Sequence, residues 1–330
     1  MLRAALLTLF ILIVLPAAAN AACRQAPVAD VWYDTPALQV WADDKGFVTC
    51  VRATGVEHVY RSTDREVGLD LERVLDDRWV RLARYTGDES DDSSIEWLGL
   101  DLYDAQTGAV VPGSGWPVPG GYVDTGADGI VARYFDGRTE VLDPAPAGED
   151  LNLMFQGRRV YWQTATGPRT ALLNLPQATA PVAKPLRARK MTNCTPRPGA
   201  NLVARYRRIV VTRKGKSVHV CFNKRTTPIG KATAVERVDQ ADVAYTRPGY
   251  VGYLDAHSGK QRELPSAGGP LSADAFVIAA VDRRGVLRVW NTDRKRPQVI
   301  TRAGASAVAV TSDEVFWLAA DGTPRARFVR

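Results

Sequence analysis

Apolar and β-branched residues recur at every second position in short runs along this chain, as in Phe47, Thr49, Val51 and again in Val218, Val220, Phe222. That period puts alternate side chains on opposite faces of an extended backbone and predicts β-strands. Most runs stop after six to ten residues at a turn signal such as Asp136-Gly137, Gly167-Pro168, Ser258-Gly259 or Asp321-Gly322. No long amphipathic helix is predicted after residue 21. Between Glu66 and Arg84 the spacing of Val67, Leu69, Leu71, Val74 and Leu75 suits either a short helical turn or a strand, and a clear period of two begins only at Val80 and Leu82.

The pattern occurs twice. Cys23 and Cys50 enclose 26 residues, and so do Cys194 and Cys221. Each pair contains an apolar doublet (Leu38, Val40; Ile209, Val211), a charged turn (Asp43 to Gly46; Arg213 to Lys216) and a strand-like run ending in cysteine. Downstream, Asp104-Ala-Gln-Thr-Gly108 matches Asp255-Ala-His-Ser-Gly259, and Val160-Tyr-Trp162 matches Val315-Phe-Trp317. An internal duplication is expected, with four strand–turn–strand units per copy, centred on 37–61, 78–112, 129–143 and 152–173, then 203–232, 242–264, 275–302 and 307–329. Small sheets of this size cannot bury their own faces and must pack against neighbours.

Through the Asp-Ala-x-Thr/Ser-Gly turns and the Val-aromatic-Trp strands, the chain resembles the bacterial secreted β-propeller superfamily of WD-like and TolB-like repeats. The resemblance implies an all-β propeller of seven or eight blades whose halves close as one ring, and no specific activity. The halves are expected at 22–173 and 194–330, joined by a linker at 174–193 that contains Pro176, Pro181 and Pro185 and no clear strand period.

Arg3, the apolar run Ala4 to Ala19 and the small-residue ending Ala19-Asn20-Ala21 read as a signal peptide over 1–21, so an exported, secreted or envelope location is expected. The run is shorter than the roughly 20 residues a spanning helix needs, and no second one follows. Lipid attachment at Cys23 is disfavoured, because Asn20 stands where such motifs carry leucine. Four cysteines in an exported chain predict two disulfides, and the repeat selects Cys23–Cys50 and Cys194–Cys221. Each loop is worth roughly 3–4 kcal/mol through constraint of the unfolded chain. Zinc is disfavoured, since no CxxC spacing occurs and His58, His219 and His257 are scattered. His219, two residues before Cys221 in an alternating strand, reads as a structural or surface residue.

Charge separates the copies. Residues 22–173 hold 14 Lys+Arg and 25 Asp+Glu, whereas 174–330 hold 28 and 11. The basic stretch Lys184, Arg187, Arg189, Lys190, continuing through Arg205, Arg207, Arg208, Arg213, Lys214 and Lys216, is a candidate surface for an anionic envelope polymer or partner protein. The bland alternative is that the basic half faces its acidic sister. Nucleic acid is the weaker partner for an exported chain. The acidic run Asp88, Glu89, Asp91, Asp92 with Glu96 lacks the glycine and ligand spacing of a calcium loop and reads as a solvated loop. Trp162 and Trp317 read as packing between adjacent sheets.

The chain has no Gly-x-Ser-x-Gly, His-Glu-x-x-His, P-loop or Gly-x-Gly-x-x-Gly motif. The expected function is a non-catalytic binding or scaffold module of the cell envelope, monomeric, without cofactor or metal. The rival is a propeller-type polysaccharide hydrolase or lyase with carboxylates at a central channel.

Overall fold

The computed structural model describes residues 23–24, 26, 31–43, 46–61, 68–86, 95–112, 115–118, 120–126, 128–134, 136–144, 153–174, 183–191, 193–239 and 241–329. The expected signal peptide and the acidic residues 88–92 lie outside them. The described residues form antiparallel β-sheets with no helix, as the period of two demands. Eight strand groups follow one another in the chain. We number them as units: 1 (31–60), 2 (68–112), 3 (116–143), 4 (154–172), 5 (201–230), 6 (234–265), 7 (273–301) and 8 (308–328). Units 4 and 8, which hold the matching Val-aromatic-Trp strands, have three strands each, and the others have four. Unit 5 also carries a short strand from the expected linker, Leu186–Arg187, paired with Asn201–Tyr206.

Three local features depart from the sequence reading for identifiable reasons. The third unit begins at Trp116–Val118 and Gly121–Gly126, strands that Pro117, Gly120, Gly121 and Gly126 disguise as a turn. Gly121 is required there, because a Cβ would sit 2.2 Å from the carbonyl oxygen of Arg133 on the paired strand. The ambiguous stretch before Trp79 is the strand Gly68–Leu75, whose register shifts between Leu71 and Arg73. A bulge breaks the period of two, which accounts for the helix-like spacing. The strand within 174–193 escaped notice because two residues are too few to show a period.

The Asp-x-x-Thr/Ser-Gly turns are structural. Asp104 accepts hydrogen bonds from the Gln106 N–H and the Thr107 hydroxyl, both at 2.9 Å, and from Arg78 at 2.7 and 3.0 Å. Burial alone would raise its carboxyl, but these donors outweigh it and hold the group below the usual range. Gly108 closes the turn at φ 77°, with its N–H on the Asp104 carbonyl at 2.8 Å. Asp255 and Gly259 repeat the arrangement in unit 6, with the Ser258 N–H on the Asp255 carboxylate at 2.9 Å.

Each sheet buries one face against the next. Leu38, Val40 and Phe47 of unit 1 pack on Val80, Leu82 and Tyr103 of unit 2. Trp79 of unit 2 meets Tyr122 of unit 3 edge to face at 6.0 Å, and the Arg81 guanidinium lies 3.7 Å over Trp116. Units 3 and 4 share Ile130, Val160 and Trp162, so Trp162 is core as expected. In the second copy the clusters join 5 to 6, 6 to 7 and 7 to 8, with Trp317 partly buried against the last.

The copies then meet like to like. Unit 4 packs on unit 8 through Met154, Tyr161, Ala309 and Phe316, and the Gln156 side-chain oxygen accepts the Val308 N–H at 3.0 Å. Strand Val31–Asp34 of unit 1 pairs antiparallel with Asn201–Tyr206 of unit 5, fusing the two into a nine-stranded sheet. Unit 2 touches unit 6 through Arg73 and Glu236. Neighbours therefore run 1, 2, 3, 4, 8, 7, 6, 5 and back to 1, not in chain order. Self-complementary contact between equivalent surfaces is the mark of a two-fold relation. Asp34 lies in register with Arg205, its own counterpart 171 residues later, at the point where that relation requires a residue to face its equivalent.

Both cysteine pairs stand at bonding distance, Cys23–Cys50 and Cys194–Cys221, with Cα–Cα separations of 5.8 and 5.9 Å. Each pins a peripheral segment over the outward face of its sheet: Cys23 and Ala26 over Trp41 and Val48, and Leu186, Ala188 and Met191 over Leu202 and Val210. Replacing Cys194 and Cys221 together by Ser is expected to cost about 3 kcal/mol, measured by urea unfolding. A loss below about 1 kcal/mol would show that the segment is held without its bond.

Candidate functional site

The cations of the basic stretch have separate fates. Lys184, Arg187, Arg189 and Lys190 are exposed on the segment covering unit 5. Arg187 donates to the Gly199 carbonyl at 2.7 Å, and Arg189 lies close enough to stabilise the Asp34 carboxylate across the copy boundary. Lys214 and Lys216 are exposed at the hairpin turn of unit 5. Arg213 donates to the Ala232 carbonyl at 3.1 Å. Arg205 is buried at the seam, where it faces Asp34. Burial raises the Asp34 carboxyl and lowers Arg205, while the attraction between them, and of Arg52 for Asp34, works against both shifts. The stretch thus supplies both a surface and a join between the copies.

Arg207 and Arg208, exposed at the unit 5 turn, line a cavity of about 430 Å³ where units 2, 5 and 6 meet. Its polar walls are Asp70 and Glu72 of unit 2, Arg207 and Arg208 of the unit 5 turn, and Arg237 and Asp239 of unit 6. Arg207 adopts φ 47°, stacks 4.2 Å over Trp32 and donates its N–H to the Trp32 carbonyl at 2.8 Å. Arg237 donates to the Leu71 and Glu72 carbonyls at 2.9 and 3.2 Å, which ties unit 6 to unit 2. Burial lowers the Arg237 guanidinium and nearby carboxylates, Asp70 first, oppose that. Burial likewise raises the Glu72 carboxyl, against the pull of Arg81 at 3.1 Å and of Arg73.

These carboxylates are matched to guanidiniums, an arrangement that holds charge in place. Two acids free to exchange protons across a scissile bond would need another setting. Among the described residues no group of three or more His, Cys, Asp or Glu is placed to hold a metal ion. Asp70, Glu72, Arg237 and Asp239 were not singled out from the sequence, because sequence order does not reveal that units 2 and 6 touch. Glu96 is exposed at the start of Glu96–Asp104, and the rest of the acidic run lies outside the described residues.

No protein-family model matches the chain, and no curated protein matches it in sequence. Similar solved structures include the C-terminal WD40 domain of Sif2, at 8% identity over 92% of this chain and 93% of that one, with a TM-score of 0.28. Sqt1 from Chaetomium thermophilum is 11% identical over 91% and 97%, with a TM-score of 0.27, and a streptogramin B lyase is 9% identical over 91% and 93%, with a TM-score of 0.25. These neighbours are WD40 and propeller-like proteins at low identity and low TM-score.

Proposed function

We propose that this protein is an exported, non-catalytic binding or scaffold module of the cell envelope, whose eight strand groups act as the blades of a propeller-like body. Its ligand is an anionic envelope polymer or the acidic face of a partner protein. The observation that carries this reading is the surplus of exposed cations on unit 5 and its covering segment, with Lys184, Arg187, Lys190, Lys214 and Lys216 all at the surface. The seam uses Arg205 and draws on Arg189, so internal compensation of the acidic copy accounts for only part of the positive charge. Attraction of this kind concentrates an anionic chain without demanding one geometry.

The full chain is expected to be retained on a polyglutamate-coupled resin at low salt and released as ionic strength approaches physiological, where screening acts over about 8 Å. Lys184→Ser, Arg187→Ser and Lys190→Ser together should shift elution to lower salt without lowering the melting temperature. Elution of this triple variant at the wild-type salt concentration would remove the support for an anionic partner at this surface.

A further inference from the structure

The duplicated copies can be compared position by position, and among their differences is one buried cross-strand pair on the outward face of units 1 and 5 that loses most of its bulk. In unit 1, Trp41 lies opposite Val48, both essentially fully buried, and they fill the space beneath the segment pinned by Cys23–Cys50. The residues 171 positions later are Thr212 and His219, opposite each other in the same register. Exchange of an indole for a hydroxyethyl group removes most of the filling volume, and a cavity of about 140 Å³ stands there in unit 5. It is lined by Thr195, Arg197, Thr212, His219 and Thr226 beside the Cys194–Cys221 bond. A cavity needs only about 10–15 Å³ to admit a water, so this one has room for a group of several heavy atoms.

We propose that this cavity is a binding site for a small oxyanion, a carboxylate or phosphate group, held by Arg197, His219 and the surrounding threonine hydroxyls. The lining chemistry favours an anion over a cation. It offers one guanidinium, one imidazole and three hydroxyl groups, and no carboxylate. A metal ion would meet a single nitrogen ligand with a guanidinium beside it, whereas an oxyanion gains charge-assisted hydrogen bonds. An apolar ligand is disfavoured by the buried imidazole, which is only 3% exposed. A structural histidine would need no cavity, and the first copy shows that valine serves the fold at that position.

Burial holds His219 below the usual histidine range, Arg197 pushes the same way, and a hydrogen bond with the Ser217 backbone opposes both. Among the lining residues Arg197 and His219 are the titratable groups, the cysteines being bonded. The covering segment adds the exposed cations Lys184, Arg187, Arg189 and Lys190 and no acid. An oxyanion replaces that repulsion by attraction and favours the protonated ring, so binding and protonation are linked and affinity should rise as pH falls. The site is separate from the surface proposed above, and its readout is local to one ring.

Side-chain NMR of the three histidines of the full-length protein tests this, with His219→Val identifying the resonance. Titration with inorganic phosphate, and separately with acetate, is expected to raise the His219 midpoint. Binding should tighten by up to about tenfold for each unit by which the pH falls between the bound and the free His219 midpoint, the signature of one linked proton. A shift with only one anion would assign the site to that class. Thr212→Trp, which restores the first copy's residue, should abolish the shift, and Arg197→Gln, a change at an exposed side chain, should weaken binding about tenfold with an unchanged melting temperature. An unmoved midpoint with both anions, or a shift of wild-type size in either variant, would overturn the proposal.

Discussion

Phe316→Ala is expected to lower stability by about 3–5 kcal/mol, a drop in melting temperature of about 6–20 °C at roughly 2–4 °C per kcal/mol. Phe316 is fully buried, and its ring centre stands 6.0 Å from that of Tyr161, itself fully buried. Ala309 and Met154 complete the cluster between units 4 and 8. Removing the ring takes apolar surface from the copy-to-copy contact and leaves a cavity that rigid sheets on both sides cannot close. Urea unfolding with a fitted midpoint measures it. A cost below about 1 kcal/mol would mean that units 4 and 8 do not depend on one another, because surface aromatics lose little on truncation. Leu172→Ala is the control: it lies on the neighbouring strand of unit 4 but is exposed, and the expected change is within about 0.5 kcal/mol.

The units were legible in the sequence because short apolar strands end at turn signals, and the paired doublets Leu38, Val40 and Ile209, Val211 are all fully buried in equivalent strands of units 1 and 5. The cysteine pairs were legible for a different reason: identical spacing in two copies leaves one consistent pairing. The order of the sheets was not legible. A duplication shows that two halves share a fold, but it carries no sign that unit 4 packs on unit 8 or that strand Val31–Asp34 pairs with strand Asn201–Tyr206. That information lies in long-range contacts between residues ordinary in type, such as Tyr161 and Phe316. The two cavities divide in the same way. The one between units 2, 5 and 6 depends wholly on sheet order. The one beside His219 could have been found by setting Trp41 and Val48 against Thr212 and His219, since a large loss of side-chain volume between equivalent positions marks either a void or a ligand.

A chain ending at Leu173, produced alone, is expected to give no soluble monomer with a cooperative melt, and the same is expected of residues 174–330 alone. Each half would expose its unit 4 or unit 8 face and the unpaired edge of Val31–Asp34 or Asn201–Tyr206. Like-to-like contact invites each half to dimerise with itself, but the charges oppose this. Two first copies would set Asp34 against Asp34, two second copies Arg205 against Arg205, and only the mixed pair sets carboxylate against guanidinium. The wider surplus of acid in one copy and base in the other acts in the same sense. The halves should therefore recover a single cooperative transition only when made together. Within the intact chain, Asp34→Arg is expected to cost about 3–5 kcal/mol by leaving buried guanidiniums in register, and the added change Arg205→Asp should recover part of that loss. Partial recovery is the expectation because Arg52 also binds Asp34 and would lose its partner in both variants. A first half that melts cooperatively alone, or a charge swap that deepens the loss, would show that the seam does not hold the copies together.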